Sequence, residues 1–151
     1  MQEMYLESVV RRVRYRSYKG QAGRIAANVL ERDFTAQVPN CKWATDVTEF
    51  KIGDKKAYLS PILDMYNGEI ISYTISDCPD LRMVMKMING AIRKAKPRKG
   101  LILHSDQGWH YQHMKYQMAL KRNGIVQSMS RKGNCLDNAM MENFFGIMKS
   151  E

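Results

Sequence analysis

Leu101-Ile102-Leu103-His104-Ser105-Asp106 decides how this 151-residue chain folds. Leu101 to His104 is a short apolar run, the composition a strand needs when both faces of its sheet are covered. Ahead of it, Asp80 is a good N-cap for a helix over about Leu81–Lys94, with Met83, Met87 and Ile88 among its apolar residues. A strand reached through such a helical crossover lies parallel to an earlier one. The run ends at Ser105-Asp106-Gln107-Gly108, and an acid at the tip of such a strand lies where open α/β sheets place their chemistry.

Upstream, Lys42 to Ile52 is rich in Trp, Thr, Val, Phe and Ile and reads as a first strand. Asp46 falls in its middle, where a buried carboxylate is costly unless it is paired or binds a metal. Ala57–Tyr66 and Glu69–Ser76 read as two more strands around Asn67-Gly68, a tight-hairpin signal. The turn around Gly53-Asp54 joins the first two, and Pro61 marks an edge or a bulge in the second. Downstream, a helix over about His113–Arg122 leads through Asn123-Gly124 to a fifth strand, Ile125–Met129. The expected architecture is therefore α/β: a five-stranded mixed sheet, three antiparallel strands then two parallel ones, flanked by helices.

The last helix follows Ser130-Arg131-Lys132-Gly133. Asp137 suits its N-cap, and Met140, Met141, Phe144, Phe145, Ile147 and Met148 make one broad apolar face. Asn138, Glu142 and Lys149 share a stripe at the border of that face.

Composition narrows the class. Apolar residues make up 44% and charged residues 26%, as in a globular domain, and no apolar run approaches a membrane span. Met1 to Arg16 is charged and lacks the apolar block of a signal peptide. The three cysteines, Cys41, Cys78 and Cys135, are odd in number and form no C-x-x-C pair, which points to reduced cytosolic thiols rather than disulfides or a zinc knuckle. A net charge of +9 favours a polyanionic partner. Residues 1–39 differ from the rest: a short helix at about Leu6–Tyr15, then a basic, poorly packed arm, with Arg11, Arg12, Arg14, Arg16 and Lys19 close together.

Three acids stand out by position: Asp46 in a strand, Asp106 at a strand tip and Glu142 on a helix stripe. If the first and fourth strands are neighbours, Asp46 and Asp106 lie side by side. Converging carboxylates repel one another unless divalent cations bind between them, and hard oxygen donors suit magnesium or manganese. Two such ions about 3.5–4 Å apart serve phosphodiester chemistry.

At these residues the chain resembles a known family. Thr45-Asp46-Val47-Thr48-Glu49-Phe50, His104-Ser105-Asp106-Gln107-Gly108-Trp109-His110-Tyr111 and Ser130 to Phe145 are similar to the three signature blocks of bacterial insertion-sequence transposases of the retroviral-integrase-like DDE type. The resemblance covers about residues 40–151. It implies an RNase H-like fold with Asp46, Asp106 and Glu142 as the catalytic, metal-binding triad, two Mg2+ or Mn2+ ions in the active complex, and Lys149 contacting DNA beside the site. It also implies the activity of a polynucleotidyl transferase: cleavage of a phosphodiester at a transposon end, then strand transfer by the freed 3′-hydroxyl, carried out by a homo-oligomer on DNA in the cytoplasm, at the nucleoid when bound. Members of the family normally continue beyond the helix carrying the Glu and have a helix-turn-helix part ahead of the core. The expectation is thus a core at 40–151 truncated shortly after Glu142, with a silent fragment that binds DNA or multimerises as the alternative.

Arg131 and Lys132 suit phosphate contacts. His110 and His113, spaced H-x-x-H, lack a third zinc ligand and read as structural or capping. His104 ends an apolar strand and could shape the site beside Asp106, but a packed core histidine is the commoner outcome. Trp109 and Tyr111 could stack on a base, but packing of their loop is the commoner outcome. Arg93 to Lys99 reads as a solvated charge run, Asp64, Asp77 and Asp80 as structural acids, and the twelve methionines as core filling.

Overall fold

A single ten-residue strand, β3 (Lys55–Asp64), forms the spine of a six-stranded sheet. The structure is a computed structural model and describes residues 23–150. The helix expected at about Leu6–Tyr15 and the basic cluster from Arg11 to Lys19 lie outside the described residues. β4 (Ile70–Ser76) pairs antiparallel along one edge of β3. Along the other edge β2 (Thr48–Ile52) pairs with its first half and β1 (Lys42–Thr45) with its second. β5 (Ile102–Ser105) then adds parallel to β1, and β6 (Val126–Met129) parallel to β5. The mixed α/β sheet with an antiparallel and a parallel half is as expected.

The sixth strand arises because the expected first strand is interrupted at Asp46-Val47. Its register does not change across the interruption: Thr45 faces Ile62 and Thr48 faces Leu59, so Asp46 stands opposite Pro61. Proline has no N–H to give to a ladder. Here the Val47 N–H donates instead to the Asp46 carboxylate at 2.8 Å. Pro61 therefore lies in a strand paired on both sides, not at an edge, with a bulge at Ile62/Leu63 where β3 meets β4. Gly53, at φ 61°, turns β2 into β3 as expected. Asn67-Gly68 belongs to a wider loop than a two-residue hairpin. Asp64 organises that loop, its carboxylate accepting from the N–H groups of Asn40 and Tyr66 at 2.9 and 3.0 Å.

Helix α1 (Leu81–Ala95) is capped by Asp80, whose carboxylate accepts from the Met83 N–H. Helices α2 (Trp109–Gln112) and α3 (Met114–Arg122) follow β5; the short α2 was not expected from the sequence. His113 caps α3, its ring nitrogen accepting from the Lys115 N–H, which is the capping role read for it. A 3-10 turn (Cys135–Asn138) leads into α4 (Ala139–Ser150).

Adjacent strand residues point to opposite faces, so Trp43 and Ala44 open two cores. Trp43, Ile62 and Leu103 pack with Val84, Met87, Ile88, Tyr111 and Tyr116 beneath α1, α2 and α3. Ala44 and Leu63 pack with Leu30, Met65, Met141 and Phe145 beneath α4. The apolar face of α4 is narrower than read: Met141 and Phe145 are buried, Met140, Phe144 and Met148 half-buried, and Ile147 faces solvent at 57% exposure. From Gly23 on, the stretch read as a poorly packed arm lies along β6. The Met129 N–H donates to the Ala27 carbonyl at 3.2 Å, the Val29 and Leu30 N–H groups donate to Ser128 Oγ at 3.0 Å, and Leu30 is buried.

Candidate active site

β1 and β5 run parallel with Ala44 opposite His104. Two residues further on, the same register sets Asp46 opposite Asp106, beyond the C-terminal ends of both strands. Asp46 is buried and Asp106 half-buried. Asp106 Oδ1 accepts from the Gly108 N–H at 2.8 Å, which turns the chain sharply out of the strand. Beneath them lies the fully buried Tyr111. Its phenol is pushed well above the usual range by burial first, then by the charges of Asp46 and Asp106. Tyr111 thus belongs to the packed core, the outcome expected for it, and Trp109 stacks on the His110 ring with centroids 4.1 Å apart.

The third acid arrives on a different element. Glu142 is half-buried on α4. Asn138, one turn ahead on the same stripe, reaches across to donate from Nδ2 to Asp46 Oδ2 at 3.2 Å. Asn138 Oδ1 is buried with no hydrogen-bond partner among the described residues. Among those residues no three His, Cys, Asp or Glu side chains are gathered so as to hold a metal ion. The structure therefore sets Asp46 opposite Asp106 and ties Asn138, one turn ahead of Glu142, to Asp46, without gathering Glu142 into one group with the two aspartates.

Both nearby imidazoles are occupied. His104 Nε2–H donates to the Asp137 carbonyl at 2.7 Å, and Nδ1 accepts from the Ser128 hydroxyl at 2.9 Å. That tautomer follows because a carbonyl only accepts and Ser128 Oγ already accepts two backbone N–H groups. His110 Nε2–H donates to the Pro79 carbonyl. Burial lowers the pKa of both rings.

Asp137 is not the N-cap expected for α4. It lies inside the 3-10 turn, its side chain has no exposed surface, and its carboxylate binds two guanidinium groups. Arg131 donates to it from Nε and Nη2, both at 2.9 Å, and Arg32 from Nε at 2.8 Å. The Arg131 guanidinium, assigned from sequence to phosphate, is thus engaged within the protein. Lys132 is exposed on the same loop. Lys149 is half-buried, with its ammonium 5.2 Å from the centroid of the Phe50 ring. Asn28 and Arg32 were missed by the sequence reading, since nothing local marks a residue whose partner is more than a hundred positions away. A groove of about 660 Å³ along α2 and α3, lined by Arg24, Trp109, Met114 and Lys121 among others, includes none of the three acids.

A mixed sheet with paired acids at the ends of two parallel strands defines a recognisable class, and the chain belongs to it: it is a member of the Integrase core domain family, which matches residues 36–135. That range contains Asp46 and Asp106 and stops short of Glu142. Over 151 residues the chain is 53% identical to the candidate transposase of insertion sequence element IS150 from Escherichia coli (strain K12), and it covers 100% of itself and 53% of that protein. It is 52% identical over 151 residues to an uncharacterized transposase-like protein of Haemophilus influenzae, covering 100% of itself and 69% of that protein. It thus spans about half the length of the IS150 relative. The catalytic core domain of HTLV-2 integrase, solved in complex with magnesium in a dimeric form, superposes with a TM-score of 0.61 at 21% identity, over 76% of this chain and 70% of that one. The fold is the RNase H-like fold of integrase cores, as the signature blocks implied. Among the described residues no helix is long and apolar enough to cross a membrane.

Proposed function

We propose that this chain is the catalytic core of a DNA transposase. In this reading it cleaves a phosphodiester at a transposon end and joins the freed 3′-hydroxyl to a second phosphodiester. Asp46, Asp106 and Glu142 are its catalytic acids. One observation carries the reading: Asp46 and Asp106 stand side by side beyond paired parallel strands, and the stripe bearing Glu142 is tied to Asp46 by Asn138.

The donor types suit a hard divalent cation, magnesium or manganese, while the three carboxylates themselves are not gathered into one group among the described residues. Carboxylate oxygens and the partnerless buried Asn138 Oδ1 supply the donors, while the nearby imidazoles are committed to carbonyl groups. Asp46, Asp106 and Glu142 would hold two such ions. When bound, these supply the charge that activates the attacking oxygen and stabilises the leaving one. The protein's own part is positional. The sheet register sets Asp46 opposite Asp106, and α4 carries Glu142 one turn after Asn138, which bonds Asp46; in this reading Glu142 joins the two aspartates around the metal. Lys132 and Lys149 are assigned to DNA phosphates, and the charge of +9 supports a polyanionic partner. The reading extends to a homo-oligomer on paired DNA ends and to a catalytic core over residues 40–151.

The test is a calorimetric titration with MnCl2, alongside cleavage of an end-labelled DNA duplex. Asp46→Asn, Asp106→Asn and Glu142→Gln should each abolish Mn2+ binding and Mn2+-dependent cleavage while the chain stays folded. A variant that keeps both would remove that residue from the site.

A further inference from the structure

The ion cluster at Asp137 lies outside the acid triad, yet it sits immediately ahead of α4. Its carboxylate accepts from Asn28 Nδ2 at 3.1 Å, Arg32 Nε at 2.8 Å, and the N, Nε and Nη2 of Arg131 at 2.8, 2.9 and 2.9 Å. The Asp137 carbonyl accepts from His104, two residues before Asp106. These partners come from three separate places: the segment ahead of β1, the end of β5, and the loop after β6. The Asn28 and Arg32 side chains are held there by local backbone. The Glu31 N–H donates to Asn28 Oδ1 at 2.9 Å, and Glu31 and Arg32 both take positive φ, 51° and 63°, a conformation uncommon for such residues.

Helix α4 needs this anchorage. Of its twelve residues only Met141 and Phe145 are buried. Met140, Phe144 and Met148 pack half-buried beside them, and such nonspecific apolar contacts hold a helix against a sheet more firmly than they fix its rotation or its slide. Removing a carboxylate from water is costly, and buried ion pairs add little net stability; their best attested use is to select one arrangement among several. Arg131 above all, then Arg32, holds the Asp137 carboxyl far below the usual carboxylate range, so the cluster stays charged at any working pH.

We propose that Asp137 is a positioning residue: gripped by Arg131 from its own loop and by Arg32 and Asn28 from the segment ahead of β1, it fixes the start of α4 so that Asn138 reaches Asp46 and Glu142 can join Asp46 and Asp106 around the metal. Residues 28–32 are then a working part of the catalytic unit. The inference rests on the assignment of the acids above.

The test is MnCl2 calorimetry on the whole chain, with the thermal midpoint measured on each variant. Arg131→Gln and Arg32→Gln are the main variants, since their side chains are 58% and 39% exposed and their loss is tolerable to folding. Each should weaken Mn2+ binding about 10- to 100-fold, the range seen when supports of metal ligands are removed, with the midpoint lowered by the under-compensated carboxylate but still well above the titration temperature. Asp137→Asn should weaken it at least as much. Asp106→Asn, as control, should abolish binding. Wild-type affinity in both arginine variants, with binding lost in Asp106→Asn, overturns the positioning role and leaves the acid site standing. Binding lost only where the midpoint falls to the titration temperature also overturns it, as a purely structural effect. No Mn2+ binding by the wild type, or full binding by Asp106→Asn, removes the acid assignment itself and this inference with it.

Discussion

His104 and His110 are buried imidazoles whose protons are fixed by carbonyl partners, and burial lowers the pKa of each. In the unfolded chain they titrate near the ordinary value of about 6.5. Below that pH the unfolded state binds more protons than the folded one, so stability must fall as pH drops through 6.5 toward the lowered folded values. The expected result is a lower urea midpoint at pH 5.5 than at pH 7.5, with net proton uptake on unfolding near pH 6. A flat midpoint across that window would mean that the rings are accessible to protons in the folded chain. Asp137 contributes nothing there, because its stabilisation is lost only in acid below the usual carboxylate range. At this scale the sequence read best where a side chain acts on its neighbours, as with Asp80 and His113, each capping the helix that follows it. It misread Asp137, whose local setting matches an N-cap while its actual partners include Arg32 and Asn28.

Element boundaries were legible where hydrophobic period and caps agreed: α1 begins at the residue expected and ends one later, and β5 falls within one residue of the apolar run that predicted it. The interruption between β1 and β2 was not legible, because it depends on which residue lies opposite Asp46. Pro61 was visible, but only the pairing of β3 puts it there. The width of the α4 face was over-read for a similar reason. An apolar stripe shows which residues can be buried, and the area of sheet beneath decides which are. Met141→Ala should therefore cost about 2–5 kcal/mol, the usual cost of emptying a buried Met site. Ile147→Ala, at an exposed position of the same helix, should stay within about 0.5 kcal/mol of wild type. Urea unfolding of the two variants checks both, and equal losses would mean that α4 buries a different face in solution.

For the whole molecule, the two halves of the sheet carry different work. The antiparallel half, β2 to β4, supplies the spine and most of the cross-strand pairing. The parallel half sets Asp46 opposite Asp106, and α4 packs across the junction of the halves, over Ala44 of β1 and Leu63 of β3. The family's three blocks fall at the points where the parallel half meets its loops, and for that reason local sequence revealed the chemistry more readily than the packing. The segment ahead of β1 was read as separate from the core because its composition is basic and its pattern irregular. Composition does not report that Leu30 fills the same apolar cluster as Met141 and Phe145.

The run from Ala26 to Leu30 also lies along the outer margin of β6, where the Met129 N–H and the Ser128 hydroxyl meet its backbone. A chain shortened to begin at residue 40, the boundary that composition suggests, would lose that cover. It would present β6 as a bare edge strand with unpaired amide and carbonyl groups, a template for pairing with another copy. Such a shortened chain should self-associate, eluting from size-exclusion columns in a concentration-dependent way and clouding on gentle warming. The chain that keeps residues 23–39 should do neither at the same concentration. Residues 23–39 would then guard this margin against aggregation, and Val126→Lys, a charge placed on the exposed β6 residue nearest its start, should restore part of the solubility of the shortened form.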